Sequence, residues 1–162
     1  MLIRPAENND ASAIAEIYNF YVLNSHATFE TQLITTNEMT ERLDNTLADG
    51  YPFFVAVAGE KVEGYAYGRR YRPRDAYKYS VEISVYIRPG SEHKGIGSGL
   101  YEALLPDLQS RGFHTIIAGI SLPNDASVRL HERFSFKKVA HFSVVGYKLG
   151  RWIDVGYWQL IL

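Results

Sequence analysis

Ser80-Val81-Glu82-Ile83-Ser84-Val85-Tyr86-Ile87-Arg88-Pro89-Gly90-Ser91-Glu92-His93-Lys94-Gly95-Ile96-Gly97-Ser98-Gly99 is the stretch that decides how this chain folds. Its first eight residues alternate. Val81, Ile83, Val85 and Ile87 fall on one face, and Glu82, Ser84 and Tyr86 on the other. That period predicts a strand. Glycines then punctuate a loop. From Ile96 onward Leu100, Leu104, Leu105 and Leu108 recur at helical spacing, which predicts a helix over 96–111 closed by Gly112. Pro106 lies inside it and is expected to kink it, because proline lacks the N–H that the helix ladder needs. An apolar run over 115–120 reads as the next strand. Strand, helix, strand of this kind is a parallel crossover unit.

Working outward, residues 1–4 read as a strand, and Ile14, Ile17, Tyr18, Tyr21 and Val22 mark an amphipathic helix over 10–23 that Asn9 or Asp10 caps. After a polar-aromatic segment, Thr35 and Glu38 form a capping-box pattern that opens a second helix, ending near Leu47. Strands follow over 52–58 and 62–68 around Gly59-Glu60, then a basic, aromatic loop over 69–79. On the far side, a helix over 124–134 precedes strands over 139–145 and 154–160, with a turn at Lys148-Leu149-Gly150. The order is β-α-α-β-β-β-α-β-α-β-β. Strands outnumber helices, and only the central unit demands a parallel pair, so the class is α/β (α+β) with a mixed sheet. No linker or repeat divides the chain, and one domain over 1–162 is expected.

Composition narrows the function. The 162 residues are 46% hydrophobic and 22% charged, which describes a folded domain with a sizeable core and excludes collagen-like or disordered chains. Seventeen Lys and Arg against 18 Asp and Glu leave a net charge of −1, so no nucleic-acid partner is expected. With no cysteine there is no disulfide, thiolate metal site or Cys nucleophile. The five histidines show no ligand spacing, and no metal is expected. The N-terminus lacks an apolar signal core, and the longest apolar run, 53–58, is too short to cross a bilayer. These features predict no membrane association and a cytoplasmic location.

The glycine loop followed by a helix start is an anion-binding arrangement, because the first N–H groups of a helix are unpaired and the helix dipole favours negative charge there. Lys94 and Ser98 add a cation and a hydroxyl, and pyrophosphate is the chemistry expected. A Walker loop is disfavoured because Ile96-Gly97 follows Gly95, and a dinucleotide fingerprint because its third glycine is replaced by Leu100. Spacing alone leaves a ligand-free turn open. Glu82 in an apolar strand reads either as a general base or as an acid on a solvated face or paired with Arg69, Arg72 or Arg74. Partial burial would raise its pKa, which suits a base. His131 reads as a proton donor or as a packed structural histidine. Asn124 is placed to cap its helix. Arginines 69, 70, 72 and 74 form forks that match carboxylate or phosphinate, or else a solvated loop. Phe29 fits a pocket or the core.

Several ordered motifs together resemble the GNAT N-acetyltransferases, most closely the phosphinothricin and methionine sulfoximine acetyltransferase group. They are Val81-Glu82-Ile83-Ser84-Val85-Tyr86-Ile87, Lys94-Gly95-Ile96-Gly97-Ser98, Leu122-Pro123-Asn124-Asp125-Ala126-Ser127-Val128-Arg129-Leu130-His131-Glu132 and Gly150-Arg151-Trp152-Ile153-Asp154-Val155. The resemblance implies a mostly antiparallel sheet of about seven strands with a splayed parallel pair and flanking helices. It implies acetyl-CoA held by Val85, Tyr86, Ile87, His93, Lys94, Gly95, Ile96, Gly97, Ser98, Asn124 and Arg133. It makes Glu82 the base and places His131 where the family often has a tyrosine. A strand bulge over 84–86 would supply a backbone N–H for the developing oxyanion. Phe29, Arg72, Pro73, Arg74, Tyr77 and Glu82 are implied for a small amine acceptor such as phosphinothricin, methionine sulfoximine or methionine sulfone. A homodimer is implied, with residues 145–152 bordering the pocket or the interface. Two departures stand out. Glu92 brings an acid to the pyrophosphate loop, and Ser135 replaces a glycine, so a positive φ there would be strained. Other readings are a polyamine, aminoglycoside or protein amine as acceptor, and a CoA-binding sensor without catalysis.

Overall fold

The computed structural model describes residues 1–92 and 94–162. His93 lies outside them. The strands are β1 (Leu2–Pro5), β2 (Phe53–Ala58), β3 (Lys61–Arg70), β4 (Ser80–Ile87), β5 (Thr115–Leu122), β6 (Lys137–Lys148) and β7 (Arg151–Ile161). The helices are α1 (Ala11–Asn24), α2 (Thr36–Ala48), α3 (Ile96–Ser110) and α4 (Asp125–Arg133). The seven strands form one sheet in the order β1-β2-β3-β4-β5-β7-β6, antiparallel throughout except for β4 and β5. The expected element order and mixed sheet therefore stand. The last two strands are longer than expected, since they form a hairpin with Lys148 paired to Arg151.

The sheet separates two hydrophobic layers. On one side α1 and α2 pack Ile14, Ile17, Met39 and Leu43 against Phe53, Val55 and Tyr65. On the other, α3 packs Leu100, Leu104 and Leu108 against Val81, Ile83 and Ile116. Each fully buried leucine contributes roughly 1.5–3 kcal/mol of transfer free energy. Strand alternation places Val81 and Ile83 on the α3 side and Tyr86 on the α1 side. Helix α3 continues without a break through Pro106. No helix among the described residues is long and apolar enough to cross a membrane.

Asp10 stands at the start of α1 but gives it no side-chain cap, because its carboxylate accepts instead from Arg4 and from Glu7 N–H; the caps of α2 and α4 follow the sequence. Thr35 Oγ1 accepts from Glu38 N–H at 3.1 Å, and Glu38 Oε2 accepts from Thr35 N–H at 2.6 Å, closing the capping box of α2. Helix α4 ends in a Schellman motif. Ser135 N–H donates to Glu132 O at 3.0 Å and Phe136 N–H to His131 O at 3.1 Å. That motif needs a left-handed residue, and Ser135 supplies it at φ +67°. The left-handed conformation costs an ordinary residue about 1–2 kcal/mol. Glycine avoids the cost but loses more chain entropy on folding. Ser135→Gly is therefore expected to stabilise the protein by about 0.5–1 kcal/mol, read as a raised urea midpoint at constant slope.

Candidate active site

The site begins where β4 and β5 part. They pair only over Ser80, Val81 and Glu82, opposite Thr115, Ile116 and Ile117. Beyond that point β5 stays with β7 as far as Leu122, while β4 stays with β3 as far as Ile87. Arg88 N–H donates to Glu63 O at 2.8 Å, which makes those two a hydrogen-bonded pair. In an antiparallel ladder such pairs alternate. Tyr86, Ser84 and Glu82 therefore bond to β3, and beyond the last pair with β5 it is Val85 and Ile87 that turn their N–H and C=O groups into the gap. The Ile87 carbonyl accepts from the Tyr21 hydroxyl of α1 at 2.6 Å. The bulge expected over 84–86 is absent, because β4 keeps one register with β3 from Ile87 back to Val81. A gap-facing Val85 N–H arises from ordinary alternation instead.

Three adjoining cavities run through this gap, and Tyr86 and Ala27 border all of them. The first, about 400 Å³, lies between β4 and α4 and reaches the N-terminus of α3. Val85, Tyr86, Ile87, Gly95, Ile96, Gly97, Ser98, Asn124 and Arg133 line it together, and Arg129 joins them. Gly95 precedes α3 at φ +76°, a conformation that suits glycine, and leads directly into the unpaired first-turn N–H groups. At Gly97 a Cβ would lie 3.0 Å from Leu130 Cδ2, so the missing side chain lets α4 approach α3. Lys94 is exposed and is not part of this wall. Glu92 does line it, but its carboxylate folds back to accept from Gly90 N–H at 2.8 Å. Asn124 Oδ1 accepts from Ser127 N–H at 3.1 Å and caps α4, as its position predicted. The cavity thus combines an apolar groove along a strand edge with a helix N-terminus and two arginines, which fits a long ligand carrying a pyrophosphate.

The second cavity, about 60 Å³, fills the gap itself, with Tyr101 and His131 among its lining. His131 is 3% exposed. Its Nδ1–H donates to Ser127 O at 2.7 Å, and its Nε2 accepts from the Tyr101 hydroxyl at 2.7 Å. Burial lowers the imidazole pKa and raises that of the phenol. Both groups are neutral, and both ring nitrogens are occupied.

The third cavity, about 420 Å³, opens on the α1 face of the sheet. Glu82 lies in its wall with Arg69 directly opposite on β3, and Arg69 Nη2 donates to Glu82 Oε1 at 2.8 Å. Arg42 from α2 clasps both oxygens of Glu30, at 2.9 and 3.1 Å. Tyr18, Tyr67 and Tyr157 supply aromatic walls. Phe29 lines the cavity too, with its ring set over Gly146 of β6, where any Cβ would collide with it. The Ser121 hydroxyl donates to His26 O at 2.5 Å, so its oxygen accepts from His26 Nδ1–H at 2.9 Å. Burial, then Arg151 and Lys148, lower the pKa of His26.

The substrate-side loop is placed differently from expectation. Arg72, Pro73, Arg74 and Tyr77 are exposed and line none of the three cavities. Arg72 stacks on Tyr71 at 5.2 Å. The Tyr71 hydroxyl is the main cause that raises its pKa. Residues 75–77 make a 3₁₀ turn between the end of β3 and the start of β4. Arg69, one of three named partners for Glu82, is the arginine inside. Arg42, His26 and Tyr157 were missed, since each reaches the cavity from an element distant in sequence and no local pattern marks them.

A cleft of this kind, with a pyrophosphate-type groove on one side, a carboxylate-bearing pocket on the other and a strand edge between, is shaped to bring a long anionic ligand end-on to a small second one. Residues 3–156 match the family model described as an acetyltransferase (GNAT) domain. The chain is 40% identical over 157 residues to a phosphinothricin N-acetyltransferase of Streptomyces viridochromogenes, covering 97% of this chain and 85% of that one. It is 37% identical over 162 residues to the L-methionine sulfoximine/L-methionine sulfone acetyltransferase of Salmonella typhimurium, covering 100% and 95%. The crystal structure of a Sinorhizobium meliloti phosphinothricin acetyltransferase with AcCoA superposes with a TM-score of 0.96 at 36% identity, over 99% of this chain and 88% of that one. The chain belongs to the GNAT acetyltransferase family and is an N-acetyltransferase.

The buried histidine carries a pH signature. The folded pKa of His131 lies below its ordinary 6.5. Below about 6.5 the unfolded chain takes up a proton that the folded chain refuses, so stability falls with pH and levels off below the folded pKa. A tenfold difference in proton affinity between the two states amounts to about 1.4 kcal/mol. His131→Asn is expected to lower stability at pH 8 but to flatten this acid loss, as followed by urea denaturation at stepped pH. An unchanged acid slope would place the effect elsewhere, with His26 the next group to test.

Proposed function

We propose that this chain transfers the acetyl group of acetyl-CoA to the α-amino group of a small amino-acid analogue that carries a second anionic or polar tetrahedral group, of the phosphinothricin, methionine sulfoximine or methionine sulfone type. One observation carries this reading. Glu82 faces the acceptor cavity, and Val85, three residues along the same strand, turns its N–H into the gap that joins this cavity to the groove beside α3. Acetyl-CoA supplies an activated acyl carbon as its thioester.

The chain's own residues do the rest. The α3 N-terminus with Gly95, Gly97 and Ser98, together with Arg129 and Arg133, receives the pyrophosphate. Val85 and Asn124 offer hydrogen bonds to the arm that follows the strand edge. Glu82 accepts a proton from the acceptor's ammonium, directly or through one water, because only the neutral amine has a lone pair. The N–C bond then forms and the C–S bond breaks. Val85 N–H faces the oxygen that gains charge meanwhile. We assign His131 a positioning role. Its nitrogens are both engaged, and its Tyr101 partner is too weak an acid to donate. The relatives' acceptors support the amino-acid class. A reducing cytoplasm suits a chain with no cysteine.

The measurement is free-thiol release from acetyl-CoA with methionine sulfoximine, phosphinothricin, spermidine and a lysine peptide. Release with the first two, reduced about 10²- to 10⁴-fold in Glu82→Gln, is expected. Release with spermidine or the peptide alone would sink the acceptor class, and full turnover by Glu82→Gln would remove it as the base.

The assembly is a homodimer in this reading. On the β6-β7 hairpin Val139, Phe142, Val144, Val145, Tyr147, Leu149 and Trp152 are each more than half exposed. β6 ends the sheet, and so large an apolar face beside an open strand edge favours a second copy. Val145→Asp with Trp152→Asp is expected to give a monomer by analytical ultracentrifugation. A monomeric unmodified chain at micromolar concentration would overturn the assignment.

A further inference from the structure

Arg69 is the arginine of the acceptor cavity with donors to spare. Arg42 spends both terminal nitrogens on the two oxygens of Glu30. Arg69 gives one hydrogen bond, from Nη2 to Glu82 Oε1. Among the described residues its Nη1 and Nε, and the second oxygen of Glu82, have no side-chain or backbone partner. The Arg69 side chain is 52% exposed and that of Glu82 22%. Both line the cavity, and the backbone holds them there as directly opposed residues of β3 and β4.

We propose that Arg69 is an exchangeable clamp on Glu82, released by the carboxylate of the acceptor itself. This inference rests on the transfer reaction proposed above and assigns the group that reads the α-carboxylate of its zwitterionic acceptor. Such a molecule carries an ammonium and a carboxylate on one carbon, and the pair in the cavity wall is its mirror in charge. The acceptor carboxylate takes two parallel N–H bonds from Arg69, that of Nη2 among them, a stronger arrangement than the single Nη2 bond to Glu82 that it displaces. Glu82 then turns to the ammonium. One ion pair becomes two, so the exchange costs no charge. Glu82 next takes the proton from the ammonium, leaving a neutral carboxyl and an amine with its lone pair. The N–C bond forms as the C–S bond breaks, and the CoA sulfur leaves as thiolate. The second proton of the amine and that of Glu82 pass to solvent and sulfur. An amine without a carboxylate has no group to displace Glu82 and meets a base still held by a guanidinium. Arg69 is thus a substrate-binding and positioning residue that sets which amines are acetylated.

The test pairs methionine sulfone with its decarboxylated amine, in the unmodified chain and in Arg69→Gln. With methionine sulfone, Arg69→Gln is expected to raise KM roughly tenfold to a hundredfold. With the decarboxylated amine it is expected to raise kcat/KM, because the base is no longer held. Arg69→Lys should recover less than half of the lost preference, lacking the planar fork. Parallel losses with both acceptors, or an unchanged preference, would overturn the clamp. If the unmodified chain acetylates neither acceptor, the reaction itself has failed. The clamp is then decided by the ¹⁵Nε resonance of Arg69, which must move on saturation with methionine sulfone and stay still with the amine. An unmoved resonance refutes it.

Discussion

Three paired residues are all that join β4 to β5, and everything functional in this protein follows from their parting. A sheet interior does not tolerate unpaired backbone groups, so each N–H and C=O exposed by the split needs another partner. The fold answers in two ways. Tyr21 reaches over from α1 and satisfies the Ile87 carbonyl. The groups further in, at Val85, face a cavity instead. A ligand that presents amide groups along this edge completes the sheet, which makes the groove an extended binding surface at no cost in core packing. The two helical layers hold the strands apart. Leu100, Leu104 and Leu108 press on β4 and β5 where they touch, and α4 stands over them where they do not.

The arginines and carboxylates that line the acceptor cavity pair with one another, whereas Arg129 and Arg133 in the groove beside α3 have no ion-pair partner among the described residues. Arg42 is matched by Glu30, Arg69 by Glu82, and Glu92 by a backbone N–H. The imidazoles of His26 and His131 are neutral, with burial the main cause for both. A pocket whose charges are already paired has little field with which to attract a simple cation or anion. It favours a ligand that carries both signs in the right order. This weighs against polyamines and for zwitterions, independently of any likeness to other proteins.

Much of this was legible in the residues. The alternation of β4, the helical spacing of α3 and the Thr35 capping box are local patterns with local causes, and each element formed where the pattern lay. The groove at the α3 N-terminus was legible for the same reason, since Gly95, Gly97 and Ser98 line it from one continuous loop and first turn. The acceptor pocket was not. Its walls come from α1, α2, β3, β4, β5 and β7, and the spacing of a charge cluster says nothing of which arginine turns inward. Density drew attention to Arg72 and Arg74, whereas register decides for Arg69, because it stands opposite Glu82. The bulge over 84–86 is instructive in another way. It was needed only if alternation failed to aim an N–H at the gap, and alternation suffices.

One buried cation ties the acceptor pocket to the far edge of the sheet. Lys148, at the end of β6, is 5% exposed, and its Nζ donates to Thr28 O at 2.7 Å and to Tyr21 O at 3.2 Å. Burial lowers its pKa, with Glu30 opposing. A buried ammonium that lost those carbonyls would be left without compensation, so the β6-β7 hairpin and the loop that follows α1 are held as one body. Phe29 reinforces the tie by lying over Gly146. That loop carries His26, Phe29 and Glu30 into the pocket, and the hairpin carries the exposed apolar face. In the homodimer proposed above, a second copy seated on the hairpin would steady the strands that Lys148 binds to the loop after α1. The proposed dimer face and the wall of the third cavity thus share one mechanical element, and Lys148 is the point at which they meet.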